Sequence, residues 1–315
     1  MAYLISMLLP VQKESDMKIN KTKEQNIYNL GNEYSIEKVS WQEYSVYFAV
    51  YRILEDNMRF RTNFDQICNI LKSYEICYFI KKDNKRIGGV LLEPNYISGL
   101  ILEPPHNDYD TILSKLMSYL LTLSDTSSPI TAGGIKPDKI QYYHRQGFNR
   151  VESRKCMIRP TEQFEVVFPN DIRLIQPDES HKLEILDLFT EAFKESEEEI
   201  VQEKKMLDYY FENETSNNDI NRASCLIYDK GTNDLIGACL VSLWEGWPNV
   251  FDIAVKPSYQ NKGLGTMMLK RALSELKGSY PVLRLFVTIG NDAEMVYHKM
   301  GFLSGTETTK MVLKV

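Results

Sequence analysis

The pattern of hydrophobic positions predicts short strands alternating with amphipathic helices in the second half of the chain. In ESHKLEILDLFTEAFKES, Leu183, Leu186, Phe189 and Phe193 recur at helical spacing and are expected to form one apolar face. Short apolar runs such as ASCLIY, VFDIAV and VLRLFV are typical of strands. The expected order, βααβββαβαβ, predicts an α+β fold with a mixed, mostly antiparallel sheet flanked by helices.

An internal sequence repeat indicates that this pattern occurs twice. The segments QYYHRQGF and MVYHKMGF place Tyr143 and Phe148 opposite Tyr297 and Phe302. Upstream, RIGGVLLEP resembles LIGACLVSL at nearly the same offset along the chain. Because both echoes occur in the same order, they predict two tandem domains produced by duplication of one domain.

The proline-containing segment RPTEQFEVVFPND is the expected seam between the two domains. The predicted limits are 27–160 for the first domain and 170–315 for the second. Residues 1–26 are expected to be a disordered tail. The apolar start MAYLISMLLP is too short to cross a bilayer and lacks the features of a signal peptide, and no later run approaches the length of a membrane span.

Composition and charge narrow the class of protein. Hydrophobic residues make up 43% of the chain and charged residues 25%, which is typical of a globular protein. The net charge of -6 argues against a nucleic-acid-binding protein, because such proteins neutralise phosphates with lysine and arginine. The five cysteines are scattered, without Cys-x-x-Cys or Cys/His clusters, so we expect reduced thiols, no metal site and a cytoplasmic location.

A glycine-containing loop carries the first functional signal. In DIAVKPSYQNKGLGTMMLKRAL an apolar strand leads through Gln260, Gly263 and Gly265 into a helix. Free N–H groups and the positive dipole end of that helix favour a phosphate or pyrophosphate, and Lys262 and Thr266 could add a charge and a hydroxyl. The dinucleotide-binding and P-loop patterns are both absent. The alternative is a glycine-rich helix start without a ligand.

Two linked motifs resemble those of the GNAT superfamily of N-acetyltransferases. IAVKPSYQNKGLGTMMLKRAL is similar to its acetyl-CoA signature, and NDAEMVYHKMGF is similar to its closing motif. The expected order of elements also resembles that family over residues 171–315.

The resemblance implies a role for each matching residue. Main-chain groups around the strand end would pair with the pantetheine arm of acetyl-CoA, and the N–H groups of the loop would hold its pyrophosphate. Asn291 would face the cofactor, and the Tyr297 hydroxyl would lie near the thioester sulfur. The implied binding residues are Ile253, Ala254, Val255, Gln260, Asn261, Lys262, Gly263, Leu264, Gly265, Thr266 and Asn291.

Acyl transfer to an amine also requires acid and base groups. A lysine-like amine is mostly protonated at neutral pH, a handicap of roughly 4–5 kcal/mol, so a carboxylate or a water chain must take its proton. Asp252, a charge inside an apolar strand, is one candidate base, and Glu245 in SLWEGWPN is another. Tyr297 is the candidate acid that protonates the leaving thiolate. Each of the three could instead be structural.

The first domain lacks the glycine loop. After its corresponding strand comes HNDYDTILSKLM, in which Asp108 and Asp110 would repel a pyrophosphate. We therefore expect a degenerate first copy that binds acetyl-CoA weakly or not at all. The sequence thus predicts an acetyl-CoA-dependent N-acetyltransferase acting on a small-molecule or peptide amine, with no nucleic acid, membrane or metal partner. The alternative is a non-catalytic acyl-CoA or metabolite sensor, and the oligomeric state stays open.

Overall fold

The protein is described by a computed structural model over residues 26–51, 64–72, 76–125, 127–194 and 196–314. The predicted disordered tail lies outside the described residues, except for Asn26. By contacts the chain divides into two compact units. The C-terminal unit consists of Cys156–Gly305, and the N-terminal unit consists of the described residues among 26–155 together with 306–314.

The N-terminal unit is built on a sheet in the order β1-β2-β3-β4-β5-β6-β13. All the registered pairs between neighbouring strands in this part of the described chain are antiparallel except β5 with β6, which run parallel. Its elements are β1 (Ile27–Gly31), β2 (Tyr34–Lys38), α1 (Trp41–Tyr51), α2 (Phe64–Lys72), β3 (Cys77–Lys82), β4 (Lys85–Glu93), β5 (Tyr96–Leu102), α3 (Tyr109–Leu123), β6 (Ile130–Ile135), a 3-10 turn (Pro137–Lys139), α4 (Ile140–Arg145) and β7 (Asn149–Pro160), with the end of β13 (Leu303–Leu313).

The C-terminal unit has the strand order β7-β12-β11-β10-β9-β8, to which β7 contributes only residues 156–160, and β11 and β12 run parallel. Its elements are β8 (Ile172–Ile175), a 3-10 turn (Glu179–His181), α5 (Lys182–Phe193), α6 (Glu197–Asn213), α7 (Asn218–Ala223), β9 (Cys225–Asp229), β10 (Leu235–Trp244), β11 (Trp247–Val255), a 3-10 turn (Pro257–Tyr259), α8 (Leu264–Leu276), β12 (Val282–Thr288) and α9 (Ala293–Lys299), followed by the start of β13. The order of elements matches the predicted one except for α7, a six-residue helix too short to give a periodic signal.

Helices cover both faces of the C-terminal sheet. Leu269 and Leu273 of α8 pack on one face, and Phe189 of α5 and Leu207 of α6 pack on the other. Each fully buried side chain of this kind contributes about 1.5–3 kcal/mol through removal from water. The predicted fold class, an α+β protein with mostly antiparallel sheets flanked by helices, is therefore confirmed.

The apolar face predicted for α5 is partly wrong. Ile185, Leu188 and Phe189 are buried, whereas Leu183 is 67% exposed and Phe193 is 45% exposed. Both sets of positions satisfy helical spacing, so the periodicity alone does not decide between them. The choice depends on how the helix lies against β10 and β11, which is a long-range property.

The last strand is shared between the two units. Thr306–Leu313 of β13 pairs antiparallel with β6, and Met311 lies opposite Ala132 in the core of the N-terminal unit. The Ser153 and Thr309 hydroxyls are 2.7 Å apart in this buried region. Compact units are defined by contacts, so the limits of the duplicated copies, 27–160 and 170–315, stay a prediction.

Candidate active site

The junction between β11 and α8 forms an open helix N-terminus. Gly263 is the N-cap residue with φ +80°, and no side chain caps the helix. Glycine suits this position because the left-handed region is costly for residues with a Cβ. A Cβ on Gly263 would meet nothing within 4 Å. The first N–H groups of α8, from Leu264 to Thr266, have no intrahelical acceptors, so the loop is suited to bind an anion.

The loop is stabilised by Tyr259, a residue that the sequence analysis did not identify. The Tyr259 hydroxyl donates to Asp229 Oδ2 at 2.8 Å, and the Lys262 Nζ lies 4.5 Å from the centre of the Tyr259 ring. This hydrogen bond is the main cause that lowers the pKa of Asp229. Gln260 Nε2 donates to the Val255 carbonyl at 3.0 Å and fastens the start of the loop. The link between Tyr259 and Asp229 joins distant segments, so no local sequence pattern indicates it.

A bulge in β11 decides which way Asp252 points. Leu240 pairs with Asp252 and Val241 pairs with Val250, so Phe251 is the extra residue. Paired residues share a face of the sheet, and residues two apart in β10 also share a face. Asp252 therefore lies on the same face as Asn249, the partner of Ser242. In a regular strand these two positions, three apart, would face opposite sides.

Asp252 is 2% exposed, and its Oδ1 accepts a hydrogen bond from the Ile253 N–H at 2.9 Å. The orientation of the main chain at the end of β11 follows from the Lys256 N–H, which donates to the Ile236 carbonyl of β10 at 2.8 Å. Because backbone direction alternates along a strand, the Val255 N–H faces away from β10 and toward the side of β12.

Tyr297 on α9 lies within electrostatic reach of Asp252. Burial raises the pKa of Tyr297 far above its usual value near 10, and the charge of Asp252 and the Cys239 thiol raise it further. The hydroxyl therefore keeps its proton at any physiological pH. The charge of Asp252, one of the two predicted bases, thus acts on the predicted acid.

Glu245, the other candidate base, has a different environment. It occupies the two-residue turn between Trp244 and Trp247 with φ 49°, followed by Gly246 with φ 77°. Its Oε2 lies 3.9 Å from Arg284 Nη1, with only 11% of its side chain exposed. The glutamate therefore balances the charge of a buried arginine, which favours Asp252 over Glu245 as the base.

Asn291 lies at the start of α9. It is exposed, and its Oδ1 accepts a hydrogen bond from the Ala293 N–H at 2.8 Å. The side chain thus stabilises the first turn of the helix that carries Tyr297. Contact with a cofactor stays a prediction for this residue.

Sequence reasoning missed two polar residues on the same face as Asp252, Asn249 and Arg284. Asn249 of β11 pairs with Arg284 of β12, and they are 1% and 4% exposed. The guanidinium carbon of Arg284 lies 4.8 Å from the centre of the Trp244 ring. A signal was available, because an arginine inside the apolar run VLRLFV requires a partner as much as Asp252 does.

The corresponding region of the N-terminal unit is closed. Asp108 caps α3 by accepting from the Thr111 N–H at 3.4 Å, and Asp110 pairs with Arg145 at 3.1 Å. The Tyr109 hydroxyl lies 3.4 Å from that of Tyr143, and both side chains are buried. A carboxylate thus occupies the helix start that stays open in α8.

Among the described residues, no group of three or more His, Cys, Asp or Glu side chains is placed to hold a metal ion. None of the five cysteines, all within the described residues, forms a disulfide bond. No helix in the described part of the chain is long and apolar enough to cross a membrane.

A family model matches part of this chain. Residues 183–302 match the model of the acetyltransferase (GNAT) family. No curated protein matches the sequence.

Solved structures with a similar fold include a GCN5-related N-acetyltransferase from Sphaerobacter thermophilus, with a TM-score of 0.67, 11% identity, and coverage of 90% of this chain and 96% of that one. A tandem GNAT protein from the clavulanic acid biosynthesis pathway has a TM-score of 0.60 and 10% identity, covering 89% of this chain and 98% of that one. A GNAT-family acetyltransferase from Colwellia psychrerythraea has a TM-score of 0.51 and 11% identity, covering 88% of this chain and 98% of that one.

Proposed function

We propose, from the premise that residues 183–302 of this chain form a domain of the acetyltransferase (GNAT) family, that the protein is an N-acetyltransferase. It moves an acetyl group from acetyl-CoA to a primary amine of a small molecule or peptide by direct attack. The observation that carries the proposal is the uncapped N-terminus of α8, in the same unit as a buried tyrosine whose pKa is raised by burial and by the charge of Asp252.

The residues at the β11–α8 junction fit a coenzyme diphosphate. N–H groups from Gln260 to Thr266 would bind the phosphate oxygens, and the space beside Gly263 admits a group that close to the main chain. Lys262, held against the Tyr259 ring, would add a positive charge. Ile253, Ala254 and Val255 would present an extended strand edge to the pantetheine arm. When bound, acetyl-CoA supplies an acetyl thioester.

Three groups of this chain would then assist the transfer. Asp252, directly or through water, would take a proton from the substrate ammonium, so that the neutral amine can attack the acetyl carbonyl. The Val255 N–H, which faces away from β10, would donate to the oxygen of the acetyl carbonyl as negative charge develops there. Tyr297 would give its proton to the sulfur as the carbon–sulfur bond breaks. Its raised pKa keeps the hydroxyl protonated before the reaction starts. The phenolate left behind would regain a proton from the nitrogen as the amide forms.

The N-terminal unit is proposed not to bind acetyl-CoA, because its helix start is capped by Asp108 and its tyrosine pair is buried. Calorimetry with coenzyme A should therefore give one site per chain.

The test of function is turnover. The protein is supplied with acetyl-CoA and a panel of primary amines, and release of free thiol is followed. Acetylation of at least one amine, with the acetyl group on nitrogen by mass spectrometry, supports the proposal. Binding of coenzyme A without turnover of any amine would contradict it and identify a non-catalytic acyl-CoA sensor instead.

A further inference from the structure

Residues 260–263, which we call the phosphate loop, are exposed to solvent and have an unusual main chain. Asn261 and Gly263 have φ of 61° and 80°, in the left-handed region that is costly for a residue with a Cβ. A loop with two such residues in four keeps this conformation only when neighbouring segments hold its ends. The contacts at those ends therefore decide how well the loop is prepared for a ligand.

One end of the phosphate loop is fixed by the core and the other by Tyr259. Leu264, the first residue of α8, is buried in the hydrophobic core of the C-terminal unit. At the opposite end, the Tyr259 hydroxyl donates to Asp229 Oδ2 at 2.8 Å. This hydrogen bond joins a phenol to a carboxylate, which makes it stronger than a bond between neutral groups. Gln260 Nε2 adds a bond to the Val255 carbonyl at 3.0 Å.

Asp229 is itself held in place. It is the last residue of β9, and its Oδ1 accepts the N–H groups of Gly231 and Thr232 at 2.7 and 3.1 Å. One carboxylate oxygen is therefore engaged by the turn that follows β9, and the other by Tyr259. The same contacts lower the pKa of Asp229, with the Tyr259 hydrogen bond as the largest cause. The carboxylate thus stays ionised at neutral pH and keeps accepting from the hydroxyl.

Tyr259 also restrains a positive charge. The Lys262 Nζ lies 4.5 Å from the centre of the Tyr259 ring, and Lys262 is among the causes that lower the pKa of Asp229. An unrestrained lysine samples many rotamers, so a fixed ring beneath the ammonium reduces the entropy cost of placing it beside a bound anion. One hydroxyl therefore governs both the main chain of the phosphate loop and the position of its ammonium group.

We propose that Tyr259 is a positioning residue that makes the protein selective for acyl donors with phosphate groups. Held by Asp229, it prepares the phosphate loop and Lys262 for the coenzyme diphosphate before the donor arrives. Its contribution is confined to donors that reach the phosphate loop. This inference rests on the proposed function, since it specifies how the same site selects its donor.

The first test is binding of coenzyme A, measured by calorimetry. Tyr259→Phe keeps the ring and removes the hydroxyl, so the dissociation constant should rise about tenfold. Tyr280→Phe is the matched control. The Tyr280 hydroxyl accepts from Asn217 Nδ2 at 3.2 Å, just beyond the other end of α8, and its removal should leave binding unchanged.

A double-mutant cycle tests whether Tyr259 acts through Asp229. In the Asp229→Ala background the phenol has lost its acceptor, so adding Tyr259→Phe should change the dissociation constant less than about twofold. A further tenfold loss in that background would show that the two residues act separately, and would overturn the proposed link.

The second test separates positioning from general support of the fold. Acetyl-CoA is compared with S-acetylpantetheine, which carries the same thioester without phosphates. With an amine that the unmodified protein acetylates, Tyr259→Phe should raise KM for acetyl-CoA about tenfold at unchanged kcat. It should leave kcat/KM for S-acetylpantetheine unchanged, whereas a residue that only supports the fold would lower activity with both donors.

The possible failures are distinguishable. An unchanged dissociation constant in Tyr259→Phe overturns the inference, and so does an equal loss of kcat/KM with the two donors. Weakening in Tyr280→Phe equal to that in Tyr259→Phe also overturns it, because loss of any hydroxyl near α8 would then have the same effect. If coenzyme A binds but no amine is acetylated, the proposed function is overturned, and the calorimetric comparison still decides the inference.

Discussion

At the scale of single residues, the surroundings of Tyr297 determine the protonation state of its hydroxyl. Burial comes first among the causes that raise its pKa, followed by Asp252 and Cys239. All three disfavour the phenolate. An acid in such a place keeps its proton at neutral pH, so it is available as a donor before the reaction starts.

Replacement of the hydroxyl tests this role. Tyr297→Phe should lower kcat by roughly 10²-fold or more, because it removes a positioned proton donor. In the parent protein, deprotonation of Tyr297 should not reduce kcat below about pH 10, since the folded-state pKa lies above the ordinary value. The measurement is kcat against pH for both proteins. Loss of parent activity between pH 8 and 10 that is absent from the variant would contradict the assignment.

The same shift has a consequence for stability. The folded-state pKa exceeds the unfolded one, so the contribution of Tyr297 to folding is complete below about pH 10 and decreases as the pH rises further.

The proposed base is tested by a pair of isosteric changes. Asp252→Asn should lower kcat/KM at neutral pH on the order of 10²-fold. The activity of the variant should recover as the pH approaches the pKa of the amine, near 10, because the amine is then neutral and needs no base. Asparagine can still accept from the Ile253 N–H, so the fold should persist. Glu245→Gln is the control, with little change expected in the shape of the pH profile. If Glu245→Gln shows the pH-dependent loss and Asp252→Asn does not, the two roles are reversed.

At the scale of elements, the two ends of α8 provide a controlled comparison. Gly263 before the helix and Gly278 after it have φ +80° and +99°, and a Cβ on either would meet nothing within 4 Å. Aspartate at either position therefore incurs a similar backbone cost, about 1–2 kcal/mol, but only one position faces the proposed phosphates.

Gly263→Asp should raise KM for acetyl-CoA at least tenfold by repulsion, whereas Gly278→Asp should leave KM nearly unchanged. The midpoint of thermal unfolding, measured for both, controls for strain. Equal KM values in the two variants would show that the start of α8 does not hold the diphosphate.

The sequence predicts the elements of the C-terminal unit better than the relations between them. The strand, glycine loop and helix from Asp252 to Leu273 are continuous in the chain, so their order and junction follow from local rules of turns and helix starts. The face on which Asp252 lies depends on the bulge at Phe251, which appears only when β10 and β11 are paired. The pairs Tyr259 with Asp229 and Asn249 with Arg284 also join separate segments. The local sequence can show that Arg284 requires a partner, but it cannot identify that partner.

At the scale of the whole molecule, the end of the described chain stabilises the N-terminal unit. Met311 is 0% exposed in that unit's core. Met311→Ala should reduce the stability of the N-terminal unit by about 2–5 kcal/mol, because it leaves a cavity. The measurement is hydrogen exchange of the amides of Ile130–Ile135, which should become faster. Leu303→Ala in the same strand is the control, since Leu303 is 67% exposed, and unchanged exchange in β6 of the Met311 variant would contradict the strand assignment.

The pairing of β13 with β6 also affects the order in which the protein can fold. A ribosome releases residues 130–135 long before residues 306–313, and the latter complete the sheet around β6. Until then β6 lacks one neighbour and presents unpaired main-chain groups, which is the condition under which strands associate wrongly. The earlier half of the chain must therefore wait for the later half to be synthesised, and a fragment cut at the seam should stay incomplete until a peptide with the sequence of 306–313 is supplied.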